Sequence, residues 1–273
     1  MSSTRDIFCF TDIHGCRPLF DAIMNYCHKQ DPEGMVLFLG DAIDRGTDGY
    51  SIMKELLANP RVVYLKGNHE DMFVQAAREI QEMLRFEELN EEYIHHVLNS
   101  CLLFDYRYAA IQDSLMNGGL PTLTDWILDG MPMDIVERID HLPYTFIYGK
   151  LDFSHAASAP QVFARVCESE YEGNGPDKYD AQSILWSRTL LQDEWTPGRI
   201  AVFGHTPVPY LYEYIGNKSR KNVPTLFNNG TKLDMDTGAV FTGKAYVLNV
   251  LTMQAQGFEL KKGKVEEIEV IQF

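Results

Sequence analysis

The sequence predicts an α/β fold: a parallel sheet built first, a helical stretch laid over it, and a second β-rich half. Three observations carry that reading. Short apolar runs alternate with segments of helical period up to about residue 70, a helical pattern then takes over, and strand-like runs return from Tyr144 onward. Every one of the five polar motifs in the chain directly follows a short apolar run, so each belongs on a loop at the end of a buried strand.

The elements follow in order. Ile7 to Phe10, Val36 to Leu39 and Val62 to Leu65 are each too short for a helix and each ends at a motif. Between the first two, Leu19, Phe20, Ile23, Met24 and Cys27 recur at helical spacing, and between the second and third Ile52, Met53, Leu56 and Leu57 do the same. The resulting β-α-β-α-β order implies parallel strands with right-handed crossovers. Met72, Phe73, Ala76, Ala77, Ile80, Met83 and Leu84 then mark an amphipathic helix, and Tyr93, Ile94, Val97, Leu98, Cys101 and Leu102 mark another, joined by the acidic stretch Glu87 to Glu92. Residues 73–142 read as a helical, cap-like insertion in one domain spanning 1–273. Tyr144 to Tyr148, Asp152 to Ser154, Ile200 to Phe203 and Ala245 to Val250 supply a second sheet, with turns at Asn228-Asn229-Gly230 and Asp236-Thr237-Gly238.

Composition narrows the function classes. A chain of 273 residues with 45% hydrophobic content can bury a large core, which argues against disorder. Its net charge of −15 gives no reason to expect binding to nucleic acid or to an anionic membrane surface. The five cysteines form no Cys-x-x-Cys pair and read as thiols of a reducing compartment. No run approaches the roughly 18 apolar residues of a membrane span and the N-terminus has no signal-peptide core, so the cytoplasm is the expected location.

The motifs, in order, are Asp12-Ile13-His14-Gly15, Gly40-Asp41-Ala42-Ile43-Asp44-Arg45-Gly46, Gly67-Asn68-His69-Glu70, Ser154-His155-Ala156 and Gly204-His205-Thr206-Pro207. Asp12 and His14 can aim at one cation, and the two carboxylate oxygens of Asp41 can bridge two. The amide of Asn68, freed by a tight turn, would complete a second site with His155 and His205. A lone histidine after a buried run usually serves the core, but two of them in a chain already presenting this set read as ligands. His28, His95, His96 and His141 have no such partners and read as structural. A mixed Asp, His and Asn donor set suits Mn, Fe or Zn better than Ca or Mg.

Gly-Asp-x-x-Asp-Arg-Gly, Gly-Asn-His-Glu and Gly-His-Thr-Pro together resemble the calcineurin-like metallophosphoesterases, within them the phosphoprotein-phosphatase branch. Asn117-Gly118-Gly119 and Asp236-Thr237-Gly238-Ala239-Val240 look like its bacterial and phage serine/threonine phosphatases. The resemblance implies a four-layer α-β-β-α sandwich and two divalent metal ions, Mn first and Fe or Zn as alternatives. Asp12, His14 and Asp41 would hold one ion, and Asp41, Asn68, His155 and His205 the other. A hydroxide bridging them would attack phosphorus, the ions lying about 3.5–4 Å apart. By the same resemblance His69 donates a proton to the leaving oxygen with Asp44 on its other nitrogen, Arg45 and Arg188 hold phosphoryl oxygens, and Asn117 contacts substrate. Gly-His-Thr-Pro lacks the second histidine of some other branches, so His205 is assigned to the second ion alone.

The implied activity is hydrolysis of phosphomonoesters, with phosphoserine or phosphothreonine in a protein or peptide, or a small phosphoester, as partner. A symmetrical dinucleoside tetraphosphate hydrolase would share every ligand and is the alternative. Tyr106 and Tyr108 could then stack a base, and the basic cluster Asn217 to Lys221 could hold distal phosphates. A non-catalytic scaffold ranks last, because no ligand is missing.

Overall fold

The computed structural model describes residues 5–83, 96, 98, 108–188, 191, 193–216 and 221–273. Strands β1 (Ile7–Phe10), β2 (Met35–Phe38) and β3 (Val62–Tyr64) pair in parallel through helices α1 (Arg17–Gln30) and α2 (Gly49–Ala58), as the alternation of periods predicts. Helices α3 (Asn68–Met83), α4 (Ala109–Met116), α5 (Leu120–Leu128) and α6 (Met133–Asp140) follow. The expected helix around Tyr93 to Leu102, with the acidic stretch before it, falls almost entirely outside the described residues.

The second half opens with β4 (Thr145–Tyr148) and β5 (Leu151–Ser154), then α7 (Pro160–Tyr171), α8 (Lys178–Trp186), β6 (Ile200–Phe203) and α9 (Val208–Tyr214). It continues through β7 (Thr225–Phe227), β8 (Lys232–Asp234), the short α10 (Ala239–Thr242), β9 (Lys244–Asn249), β10 (Gln254–Lys261) and β11 (Lys264–Gln272). Two sheets result, one ordered β11-β10-β9-β1-β2-β3 and one ordered β4-β5-β6-β8-β7. The last of the expected strand runs, Ala245 to Val250, forms β9 at Lys244–Asn249 and joins the first sheet antiparallel to β1 instead of the second.

The period of two along each strand builds four layers. Phe8, Phe10, Val36 and Phe38 point outward onto Leu19, Phe20, Ile23, Ile52 and Met53 of the two crossover helices. Ile7, Cys9, Leu37 and Leu39 point the other way, onto Phe153, Val202 and Leu233 of the second sheet, forming an apolar layer between the sheets. Ala201 and Phe203 then face Phe163, Val166, Ile184 and Leu185 of α7 and α8 on the far side. The fold is an α-β-β-α sandwich. The helical stretch adds to its first layer: Phe73, Ile80, Trp126, Val136 and Ile139 share the core of α1 and α2, with the Phe73 and Trp126 rings edge to face at 5.8 Å.

In both sheets the parallel strands end on the same edge. β1, β2 and β3 deliver residues 11–15, 40–46 and 67–70 there, and β5, β6 and β8 deliver residues 155–156, 204–207 and 235–238. Among the described residues no helix is long and apolar enough to cross a membrane. The described cysteines, Cys9, Cys16, Cys27 and Cys167, are free thiols.

Candidate metal centre

All six predicted ligands, Asp12, His14, Asp41, Asn68, His155 and His205, are buried together where the two sheet edges meet. Backbone carbonyls set the orientation of two imidazoles. His14 Nδ1–H donates to the Ile43 carbonyl and His155 Nδ1–H donates to the Leu39 carbonyl, both at 2.8 Å, so each ring turns its Nε2 lone pair into the site. Asp41 Oδ2 lies 3.5 Å from both of those Nε2 atoms. Its other oxygen, Oδ1, accepts the His69 backbone N–H at 3.1 Å, which fixes the carboxylate with Oδ2 between the two rings.

Around that shared oxygen the donors fall into two groups. Asp12 Oδ1 lies 4.0 Å from His14 Nε2, while Asp12 Oδ2 is held by the Thr11 hydroxyl at 2.5 Å and the His205 backbone N–H at 3.0 Å. On the other side Asn68 Oδ1 lies 2.9 Å from His155 Nε2 and 2.8 Å from His205 Nδ1, and the two ring nitrogens are 3.2 Å apart. Electrostatics point the same way. Burial, then the neighbouring cations and rings, drives the pKa values of His14 and His205 well down, and burial lowers that of His155, which keeps the imidazoles neutral. Burial, Asp12 and Glu70 push Asp41 well up. A converging set of neutral nitrogens and mutually repelling carboxylates is relieved by a cation, and these N and O donors fit divalent ions of the Mn, Fe or Zn kind.

The guanidinium of Arg45 already leans on this set. It donates through NH1 to His14 Nε2 and through NH2 to His69 Nε2 at 3.0 Å. His69 Nδ1 lies 2.7 Å from Asp44 Oδ2, as the resemblance implies, and Asp44 is fully enclosed so that burial pushes its carboxyl up to about 7. His69 Nε2 also comes within 3.9 Å of Asp41 Oδ2. Burial, Arg45 and His155 push the His69 pKa well down, so its ring is neutral here. Arg188 donates to the His205 carbonyl at 3.4 Å and lines, with Arg45, a cavity of about 500 Å³ opening from the site. Asn117 sits beside Arg45, whose N–H donates to Gly118, but its own amide donates back to the Asp113 carbonyl at 2.8 Å.

Thr122 has no local signal in the sequence, and Glu70, Gly67 and Gly204 lie in the motifs without a role assigned to them there. Thr122, 78 residues from Asp44, accepts the Asp44 N–H at 3.0 Å, and Glu70 accepts four donors at once: the N–H groups of Asp41, Ala42 and Gly67 and the Tyr64 hydroxyl. Gly67 is glycine because a Cβ there would fall on the Asp41 and Glu70 carboxylates, and a Cβ at Gly204 would fall on Asp12. A further group, Glu137, Asp140 and His141, lies on the exposed end of α6, where Arg78 engages both carboxylates. His141 there contacts its own helix carbonyl, in keeping with a structural role.

A family model described as calcineurin-like phosphoesterase matches residues 6–235. The chain belongs to that family. It is 30% identical over 80 residues to serine/threonine-protein phosphatase 1 of Salmonella typhimurium, a stretch covering 29% of this chain and 37% of the relative. It also superposes on a cold-active protein-tyrosine phosphatase of a psychrophilic Shewanella, with TM-score 0.52 and 12% identity, over 98% of this chain and 81% of that one. A protein described provisionally as a diadenosine tetraphosphatase aligns with TM-score 0.50 and 15% identity over 98% of this chain and 94% of the other. At those identities the structural likenesses establish the fold.

Glu70 supports the whole constellation, and its replacement is informative. Glu70→Gln keeps the shape but turns an NH₂ toward donors that need an acceptor. It is expected to lower stability by about 2–4 kcal/mol and to weaken metal binding severalfold. Urea unfolding with and without Mn²⁺ checks both. Unchanged stability and affinity would mean that the four hydrogen bonds are dispensable.

Proposed function

We propose that the protein is a metal-dependent phosphomonoesterase of the cytoplasm that hydrolyses phosphoserine and phosphothreonine in peptides or proteins. One observation carries this reading: Asp41 Oδ2 stands 3.5 Å from an imidazole lone pair on each side, the position of a carboxylate shared by two ions. Asp12, His14 and Asp41 would hold one ion and Asp41, Asn68, His155 and His205 the other, with Mn²⁺ the best match to the donors. Bound there, the ions supply a water of lowered pKa and offset charge on the phosphoryl group.

The chain's own residues do the rest. Arg45 and Arg188 reach the phosphoryl oxygens from the cavity side, Arg45 leaving His69 Nε2 as it does so. That nitrogen then faces the leaving oxygen, while Asp44, accepting from Nδ1–H, holds the ring and would offset the positive charge when Nε2 takes up a proton after Arg45 has left it. One water is consumed: its oxygen joins phosphorus, the ester P–O bond breaks, and the proton the water gives up reaches the departing alcohol through His69 Nε2, leaving inorganic phosphate. Cleavage of dinucleoside tetraphosphates ranks second. Among the described residues lining the cavity the cations are Arg45 and Arg188, and Glu213 adds an anion where distal phosphates would lie. Most of the basic cluster at 217–221, and Tyr106, lie outside the described residues.

Asp41→Asn is expected to abolish turnover and to reduce bound metal in elemental analysis while most of the fold persists. Full activity in that variant, or in chelator-treated protein with no metal restored, would overturn the shared-carboxylate assignment.

For His69→Asn the expected loss is much larger on a phosphoserine peptide, whose alkoxide needs a proton, than on an activated aryl phosphate whose phenolate leaves unaided. Asp44→Asn should act in the same direction more weakly. Equal losses on both substrates would instead assign His69 to positioning the phosphate.

A further inference from the structure

Asp44, which holds the His69 ring, and Arg45, which reaches the phosphoryl group, are consecutive residues that are both left-handed, with φ of 68° and 65°. Side chains make that conformation unfavourable, and two such residues in a row would relax in an open loop. Both backbone N–H groups are caught by the helical stretch. The Gly118 carbonyl accepts the Arg45 N–H at 2.8 Å, and the Thr122 hydroxyl accepts the Asp44 N–H at 3.0 Å. Thr122 is buried, so without its oxygen the Asp44 N–H would be left with no acceptor in a closed space.

The segment that supplies these two acceptors is itself pinned. Gly118 has φ 92°, and a Cβ on it would stand 3.0 Å from Arg45 Cγ, so only glycine lets the chain come this close. A Cβ on Gly119 would fall on the Ser114 hydroxyl, and the Gly119 N–H donates to the Ser114 carbonyl at 2.9 Å. Thr122 follows in the first turn of α5, where the Leu123 N–H closes onto the Gly119 carbonyl at 2.9 Å. Just past α5, Asp129 accepts the Tyr50 hydroxyl at 2.7 Å and the Lys54 ammonium at 2.6 Å, both on α2. The loop at Asp44 leads into that same α2, so the clamp and the loop it holds are tied to one helix.

The Asp44 carboxylate depends on that backbone for its aim. Oδ2 accepts His69 Nδ1–H at 2.7 Å, while Oδ1 is buried with no hydrogen-bond donor in place. Burial pushes the carboxyl up to about 7, and the Thr122 hydroxyl, then Arg45, pull against that rise. With one bond on one oxygen, the carboxylate follows any turn of the Asp44 backbone, and the His69 ring follows the carboxylate. We propose that Thr122 is a positioning residue: by holding the Asp44 N–H it keeps His69 Nε2 aimed at the leaving oxygen, which makes the helical stretch a working part of the centre as well as a cover. The proposal rests on the phosphomonoesterase reading above.

Thr122→Val keeps the shape and removes the acceptor, whereas Thr122→Ser keeps the acceptor. In the Mn²⁺-loaded protein Thr122→Val should lower kcat on a phosphoserine peptide about tenfold and move KM less than about twofold. The loss should be far smaller on an activated aryl phosphate, whose leaving group needs no proton, and Thr122→Ser should restore most of it. A merely structural role would lower both substrates alike. Thr122→Cys, whose sulfur is a weak acceptor, takes the place of Thr122→Val if that variant does not fold. A second readout needs no turnover: in the Zn²⁺-loaded protein the His69 Nδ1–H proton should give a low-field NMR signal, assigned by its loss in His69→Asn. Its exchange with water should quicken severalfold in Thr122→Val and not in Thr122→Ser. Wild-type kcat in Thr122→Val, equal losses on the two substrates, or unchanged exchange overturns the positioning role. Exchange that responds as expected, in a protein that hydrolyses no phosphomonoester in Mn²⁺, Fe²⁺ or Zn²⁺, would instead remove the phosphomonoesterase reading and leave the hold of Thr122 on the pair standing.

Discussion

The buried carboxylate of Glu70 is the interaction on which the centre depends. Placing a charge out of water costs several kcal/mol unless the group is fully hydrogen-bonded, and Glu70 meets that condition with three backbone N–H groups and one hydroxyl. Burial pushes its pKa up, and those donors pull against the shift. Because the N–H groups come from the loops after β2 and β3, satisfying one carboxylate locks two loops into a single register. Asp41 and Asn68 then have little freedom left, and the separation of the donor groups is set before any ligand arrives.

That register holds the backbone where it would not go alone. Asp12, His14, Asp41, Asp44, Arg45 and His205 all have φ between 45° and 68°, the left-handed region that costs a non-glycine residue on the order of 1 kcal/mol or more. In an unconstrained loop each would relax. Here the Asp12, His14 and Arg45 N–H groups are captured by the carbonyls of Gly40, Asp41 and Gly118, and the Asp44 N–H by Thr122. Strain concentrated on these site residues is offset by hydrogen bonds that hold the side chains on one target instead of fanning outward.

Much of this was legible in the sequence because strand ends announce themselves. Ile7 to Phe10 and Ile200 to Phe203 are apolar runs that stop at a motif, and both strands have those bounds. β8 carries no strand signal in the sequence for a physical reason: only Leu233 faces the inter-sheet layer, and its neighbours Lys232 and Asp234 are ionisable residues that are nevertheless buried. The β10-β11 hairpin turns at Lys262-Gly263, and its second strand half-buries Val265, Ile268 and Ile271 at intervals of three across a register shift in the ladder, so it shows no period of two in the sequence. Arg188 is assigned by resemblance alone, whereas Thr122 has no signal at all, since nothing near it in the chain reports on Asp44. The loop that carries Asn117 arrives beside Arg45, with the Asn117 amide N–H on the Asp113 carbonyl of its own helix.

The division of donors between the sheets ties site and fold together. The first sheet supplies Asp12, His14, Asp41 and Asn68, the second supplies His155 and His205, and the direct links across the gap include His155 Nδ1–H to the Leu39 carbonyl and the His205 N–H to Asp12 Oδ2. Between the sheets the packing is apolar and non-directional, so it sets their distance but not their register. The polar links set the register, and they do so at the edge where charge is most crowded. A cation held by residues from both sheets would therefore favour the folded pairing over any slipped one, and its binding free energy would add to stability, since the unfolded chain has no such site. The geometry of the candidate centre and the alignment of the sheets are in this fold set by the same contacts.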